Sequence, residues 1–244
     1  MCTHGAITII GKPINSKQLL VSFKVLPGTD PCGQGHFVAI WEGRKVLSSA
    51  EALHTHMVSS SGTTGQLLFN DLAIGKKEYM IGYGIDGYAG METICATLTL
   101  PAAAKTGVIL PANLSNVFVS PDHIGTDVLL AQLSIPFYYQ ERNSFKWIAL
   151  FQGEFNDQMC HGKNVLAVSK SFIPQHCGSI LMKNIPGRLS RFETYTLVHG
   201  IGLDAFGDPD YSKQISYYTF IVWRSNIYIG TRGFSSFYSN NYVV

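Results

Sequence analysis

A chain of 244 residues that is 46% hydrophobic and 12% aromatic carries enough apolar material for one large core or two ordinary ones, which excludes disorder as its dominant state. Charged residues make up only 14%, with a net charge of +2, against roughly 25% in ordinary soluble chains. This balance argues against a nucleic-acid binder, which needs a basic stripe to neutralise phosphates; the nearest clusters, Lys76-Lys77 and Arg188 to Arg191, are too short.

Ala6 to Ile10 reads as a first strand and Leu19 to Val25 as a second, with Phe23 and Val25 on one face and Ser22 and Lys24 on the other. Leu26-Pro27-Gly28 then turns the chain. Phe37 to Gly43, F-V-A-I-W-E-G, forms a third strand in which Phe37, Ala39 and Trp41 share one face and Val38 and Ile40 the opposite one. Two apolar faces mark it as a central strand. A short strand at Lys45 to Leu47 and a polar loop from Ser59 to Gly65 come next, followed by strands at Gln66 to Asn70, Glu78 to Gly84 and Thr93 to Leu100.

Pro101 to Pro111, bounded by prolines and small residues, reads as a linker. Beyond it the pattern returns. Trp147 to Gly153, W-I-A-L-F-Q-G, echoes Phe37 to Gly43 at a distance of 110 residues, and Val128 to Ile135 answers the second strand at the same distance. Val117 to Val119 answers the first strand. Ser179 to Met182 and Thr194 to Gly200 answer Gln66 to Phe69 and Glu78 to Gly84 at distances of 113 and 116, so the insertions fall in loops. Tyr217 to Trp223 is the last strand of the second unit. The expected organisation is a tandem duplication: a first unit at 1–100, a linker at 101–111, a second unit at 112–224 and a tail at 225–244.

Seven short strands per unit, separated by turns and with hardly any helical period, indicate an all-β fold of two antiparallel sandwiches. Two details make each unit similar to immunoglobulin and fibronectin type III domains. An aromatic on the third strand, Phe37 or Trp147, stands where such folds bury their core tryptophan. Leu72 to Tyr79 and Ile185 to Tyr195 resemble the corner before the sixth strand, where a tyrosine hydroxyl bonds back to the upstream backbone. The resemblance is architectural and selects no function.

In such an architecture the loops at the sandwich ends present ligands. The loop between the sixth and seventh strands carries, in each unit, a carboxylate two residues before an aromatic in a glycine-rich setting: Asp86 and Tyr88, then Asp204 and Phe206. An exposed ring beside a carboxylate can stack on a sugar and accept its hydroxyl hydrogens. Asp204, Asp208 and Asp210 offer oxygen ligands to calcium, although their spacing fits no calcium-loop signature. The plainer expectation is that Gly and Asp favour turns while Tyr88 and Phe206 pack onto the sandwich end.

His54-Thr55-His56 puts two imidazoles on one strand face, and Cys160-His161 with His176-Cys177 would gather a zinc-compatible set across a hairpin, but without the paired spacing of structural zinc sites. Cys2, Cys32, Cys95, Cys160 and Cys177 do not occupy matching positions in the two units. Free thiols are expected, with a Cys160 to Cys177 bridge as the alternative in an exported protein. No serine elbow or placed cysteine–histidine pair is visible, so no enzyme and no cofactor other than calcium is expected. No apolar run reaches the length of a membrane span, and Met1-Cys2-Thr3-His4 does not open a secretory signal, so a cytoplasmic protein, or one released without a signal peptide, is expected.

The tail is nearly uncharged and rich in aromatics, among them Tyr228, Phe234, Phe237, Tyr238 and Tyr242. It either covers an edge of its own unit or adds a strand to another copy. A charge-poor surface repels copies weakly. The expected function is therefore a non-catalytic binding or self-assembling structural protein that forms homo-oligomers. The alternatives are a glycan-binding, lectin-like module or toxin component using the two loops, and a membrane-active protein that refolds its β-structure.

Overall fold

The computed structural model describes residues 3–46, 51–87, 90–134, 146–171 and 177–222. These residues form antiparallel β-structure, joined by turns and by 3-10 helices at Gly90–Thr93 and Asp157–His161. The strands of the first half are β1 (Thr3–Ala6), β2 (Thr8–Pro13), β3 (Leu19–Lys24), β4 (Phe37–Glu42), β5 (His54–Met57), β6 (Thr64–Phe69), β7 (Tyr79–Gly84) and β8 (Ile94–Leu100). Those of the second half are β9 (Ala112–Leu114), β10 (Asn116–Ile124), β11 (Leu129–Ser134), β12 (Lys146–Gln152), β13 (Val165–Ser171), β14 (Cys177–Met182), β15 (Thr194–Ile201) and β16 (Gln214–Ile221). The strand expected at 45–47 is not formed at residues 45 and 46; the edge strand β5 takes that role.

Four sheets result, in the orders β2-β3-β6, β5-β4-β7-β8-β9, β10-β11-β14 and β1-β16-β15-β12-β13. In each half a three-stranded sheet packs on a five-stranded one, and alternation sends every second residue into the space between. Val21 and Phe23 meet Val38, Ile40 and Ile81 there in the first half; Ala131 and Leu133 meet Ile148, Leu150 and Leu197 in the second.

The opposite face of each five-stranded sheet is also buried. Phe37, Ala39 and Trp41 gather there with Met80 and Ile94, and Trp147, Ala149 and Phe151 with Met159 and Val198. Both faces of β4 and β12 are thus covered, as their composition implies. The aromatics at 37 and 147, however, do not occupy the space between the sheets. The in-out alternation places their neighbours Val38 and Ile148 there, and the rings lie instead over Gly84 and Gly200, their directly opposed partners, where a Cβ would overlap the ring.

Local bonding repeats between the halves. Tyr79 Oη accepts the amide N–H of Ala73 at 2.7 Å, and Tyr195 Oη accepts that of Ser190 at 2.8 Å, the corner expected from sequence. The register slips between Tyr83 and Gly84 on β7 and between His199 and Gly200 on β15. Gly43 and Gly153, with φ of 97° and 96°, donate to Glu78 and Thr194.

One relationship was not visible in the pattern of strands. The leading strand of each half lies on the sheet of the other. β1 pairs with β16, Thr3 opposite Thr219 through Ala6 opposite Ser216, while β9 pairs with β8, Ala112 opposite Leu98 through Leu114 opposite Ala96. A single residue, Ile7 or Ser115, separates each leading strand from the next strand of its own half, and its N–H still bonds to the foreign sheet, at Ile215 and Cys95. The segment 101–111 carries turns, and its buried Leu110 bridges to Gly11. The first core extends into Ile201 and Ile215, so the halves share apolar contact as well as strands.

Candidate functional site

The loop after β7 brings Asp86 to the second half. Its carboxylate is largely buried and lies 2.7 Å from Lys213 Nζ, which also reaches Asp210 at 3.2 Å. Burial opposes the charge on Lys213, but the hydrogen bonds to Asp86 and Asp210 outweigh it and raise the ammonium above the usual lysine range. Asp86 thus joins the halves. Its expected companion, Tyr88, lies outside the described residues.

The corresponding loop after β15 stays at the surface. Asp204 Oδ1 accepts the amides of Phe206 and Asp208, both at 2.9 Å, which fixes a tight turn and leaves Phe206 91% exposed. Phe206 therefore does not pack down. The three carboxylates diverge: Asp208 pairs with Lys170 at 2.9 Å, Asp210 with Lys213 and Ser212, and Asp204 with its own turn. Among the described residues no group of three or more His, Cys, Asp or Glu is placed to hold a metal. Tyr228, Phe234, Phe237, Tyr238 and Tyr242 lie outside the described residues.

His54 and His56 share one face of β5, their rings 6.4 Å apart, and both lie against Phe69, with His56 stacked at 4.5 Å. Cys160 is a free thiol that points toward the carbonyl of Pro27 and Gln214 Oε1, so the Cys160 to Cys177 bridge is not formed. Burial first, then the nearby Asp157, pushes its thiol up to about 11, which makes it a poor nucleophile and metal ligand. His176 lies outside the described residues.

Two buried histidines escaped the sequence reading. His36 Nδ1 lies 2.9 Å from Tyr83 Oη and Nε2 lies 3.2 Å from Gln34 Oε1. The acceptor Oε1 requires the proton on Nε2, so the Tyr83 hydroxyl donates to Nδ1. Burial lowers the imidazole to about 4, against the opposing pull of Asp30 and Asp86. Register makes His199 the counterpart of Tyr83: it is fully buried, neither ring nitrogen has a partner, and burial together with Lys146 lowers it to about 3.

Sequence reading also missed a cleft of about 670 Å³ at the far end of β12, bordered by Gln152, Glu154, Asn164, Phe192, Glu193 and Thr194. A signal was present in the chain. The bonds of Gly43 and Gly153 align Arg44 with Glu154 and Lys77 with Glu193, so two cations of the first half stand as carboxylates in the second. No known family model matches the chain, and no curated protein matches it significantly. Among the described residues no helix is long and apolar enough to cross a membrane.

Proposed function

We propose that the chain is a pair of tandem immunoglobulin-like sandwiches derived by internal duplication, and that it acts without catalysis, by binding and self-association. The duplication is supported by the shared registers, the two tyrosine corners and the bulge repeated at Tyr83 and His199. Self-association rests on one observation, the exchange of leading strands. A sandwich edge that takes its last strand from another unit is held by backbone hydrogen bonds, which a second copy's strand makes equally well. Within one chain the local concentration of β1 favours closure; at high protein concentration copies compete for the same edge. The aromatic tail, 225–244, is proposed as a second donor segment.

The test is sedimentation across a concentration series. His4 and Tyr218 are directly opposed, so a His4→Cys, Tyr218→Cys variant locks β1 in place when oxidised. Association of the unmodified chain, its loss in the locked form and its return on reduction are expected. A chain that stays monomeric at every concentration, with and without the tail, overturns the proposal.

The glycan-binding alternative is favoured by the 91% exposure of Phe206 on a turn held by Asp204. A glycan array with intact protein and a Phe206→Ala variant checks it, and no signal from either, with or without calcium, removes it.

A further inference from the structure

We infer that the cleft at the far end of β12 is a binding site for a small aliphatic amine, an ammonium group carried on a carbon chain. The inference comes from setting the same place in the two halves side by side. In the first half it carries two ion pairs, Lys77 with Glu42 and Arg44 with Glu78, each at 2.7 Å. Register and the glycine bonds align these four residues with Glu193, Gln152, Glu154 and Thr194. Both cations have become carboxylates, and both anions have become neutral hydrogen-bonding groups.

The four positions therefore change from a neutral, self-satisfied set to one with two negative charges. Among the described residues neither Glu154 nor Glu193 has an ion-pair partner. The volume of about 670 Å³ falls within the range of small-molecule sites. An aromatic wall is in place: Phe192 is 68% exposed, and its left-handed backbone, φ 63°, is pinned by its N–H to the Val222 carbonyl at 2.8 Å. The guanidinium of Arg191 lies 5.8 Å from the centre of that ring and takes its cation contact, so the ring offers the ligand apolar surface for a carbon chain and not a second cation position. An ammonium fits between the carboxylates, its methylene chain lies along Phe192 and Val165, and Gln152 and Asn164 supply carbonyl oxygens for the remaining N–H donors. Both carboxylates are exposed and hydrated; an ammonium gains charge-assisted hydrogen bonds from them that a neutral sugar does not, which is why the amine is preferred.

The site is independent of strand exchange, so its failure leaves the assembly reading untouched. The test uses the full chain, with cadaverine and spermidine as probes and a neutral disaccharide as control, followed by amide chemical shifts at low salt. The expected result is saturable shifts at 152–154, 164–166 and 192–194 with both amines, weakened by added salt. Rebuilding the first-half pairs with Gln152→Glu, Glu193→Lys, and separately with Glu154→Arg, Thr194→Glu, is expected to weaken amine binding roughly tenfold while the circular dichroism spectrum stays the same. A single Glu193→Gln variant gives a second, milder measurement if a double variant fails to fold. Absence of shifts with either amine, equal shifts with the disaccharide, or affinity unchanged in the folded variants each overturns the inference.

Discussion

Lys213 Nζ stands 2.7 Å from the carboxylate of Asp86, and this ion pair ties the loop after β7 to the residue before β16, across the two halves. With side-chain exposures of 20% and 10%, it is far from the surface pairs that contribute little. Replacing Lys213 with Met removes the cation beside a largely buried carboxylate, and a loss of about 2 to 3 kcal/mol in denaturant unfolding is expected. Adding Asp86→Asn should recover much of it. The raised ammonium has a sign of its own: this stabilisation is complete below the usual lysine range and is lost as pH rises through the folded-state value. Alkaline melts of the wild type, compared with Lys213→Met, read that difference.

The tyrosine corners allow a paired experiment. Tyr79→Phe and Tyr195→Phe each remove the acceptor of one amide, at Ala73 and Ser190, while keeping the ring. Each should cost about 1 to 3 kcal/mol, less where water reaches the amide. Similar losses at the two sites would show that the corners do equal work; no loss at either would show them dispensable.

Acid should destabilise the protein before most carboxylates protonate. His36 is held neutral down to about 4, well below its value of 6.5 in an unfolded chain. The unfolded state therefore binds the extra proton between those limits, and stability falls as pH drops through that window, by on the order of 3 kcal/mol for this group. His199, lowered to about 3, acts in the same direction. A His36→Gln variant should show a flatter decline in unfolding free energy between pH 6.5 and 4; an unchanged slope would assign the decline elsewhere.

Gly200 lies under the Trp147 ring, and an added methyl has nowhere to go. Gly200→Ala is expected to destabilise by about 1 to 3 kcal/mol and to change the tryptophan emission. Trp147→Leu in the same chain should relieve the overlap, so the two changes together should be less damaging than their sum.

The strand periods and the echo of Phe37 to Gly43 in Trp147 to Gly153 were enough to read the all-β class and most strand positions, because period-two alternation is local. The tyrosine corners were readable for the same reason. What alternation cannot tell is which of two apolar faces meets which layer, and so the rings at 37 and 147 were expected on the wrong side. β5 and β13 were missed because edge strands carry weak patterns, as H-T-H-M shows. The ion pair of Asp86 with Lys213 joins residues 127 positions apart and leaves no periodic trace. The cleft at Glu154 and Glu193 was legible in principle, since the charge reversal appears once the halves are aligned, but only the pairs observed in the first half give it meaning.

The pairing of β1 with β16 also sets a timetable for biosynthesis. Thr3–Ala6 leaves the ribosome roughly 210 residues ahead of its partner at 216–219. At roughly 5 to 20 residues per second, the strand stays without its partner for on the order of 10 to 40 s. The first half can condense during that interval, but its outer edge stays open until β9 arrives and its leading strand until β16 does. The waiting segment reads T-H-G-A. It contains no large apolar side chain, so a nascent chain can carry it exposed without offering neighbouring chains a sticky strand.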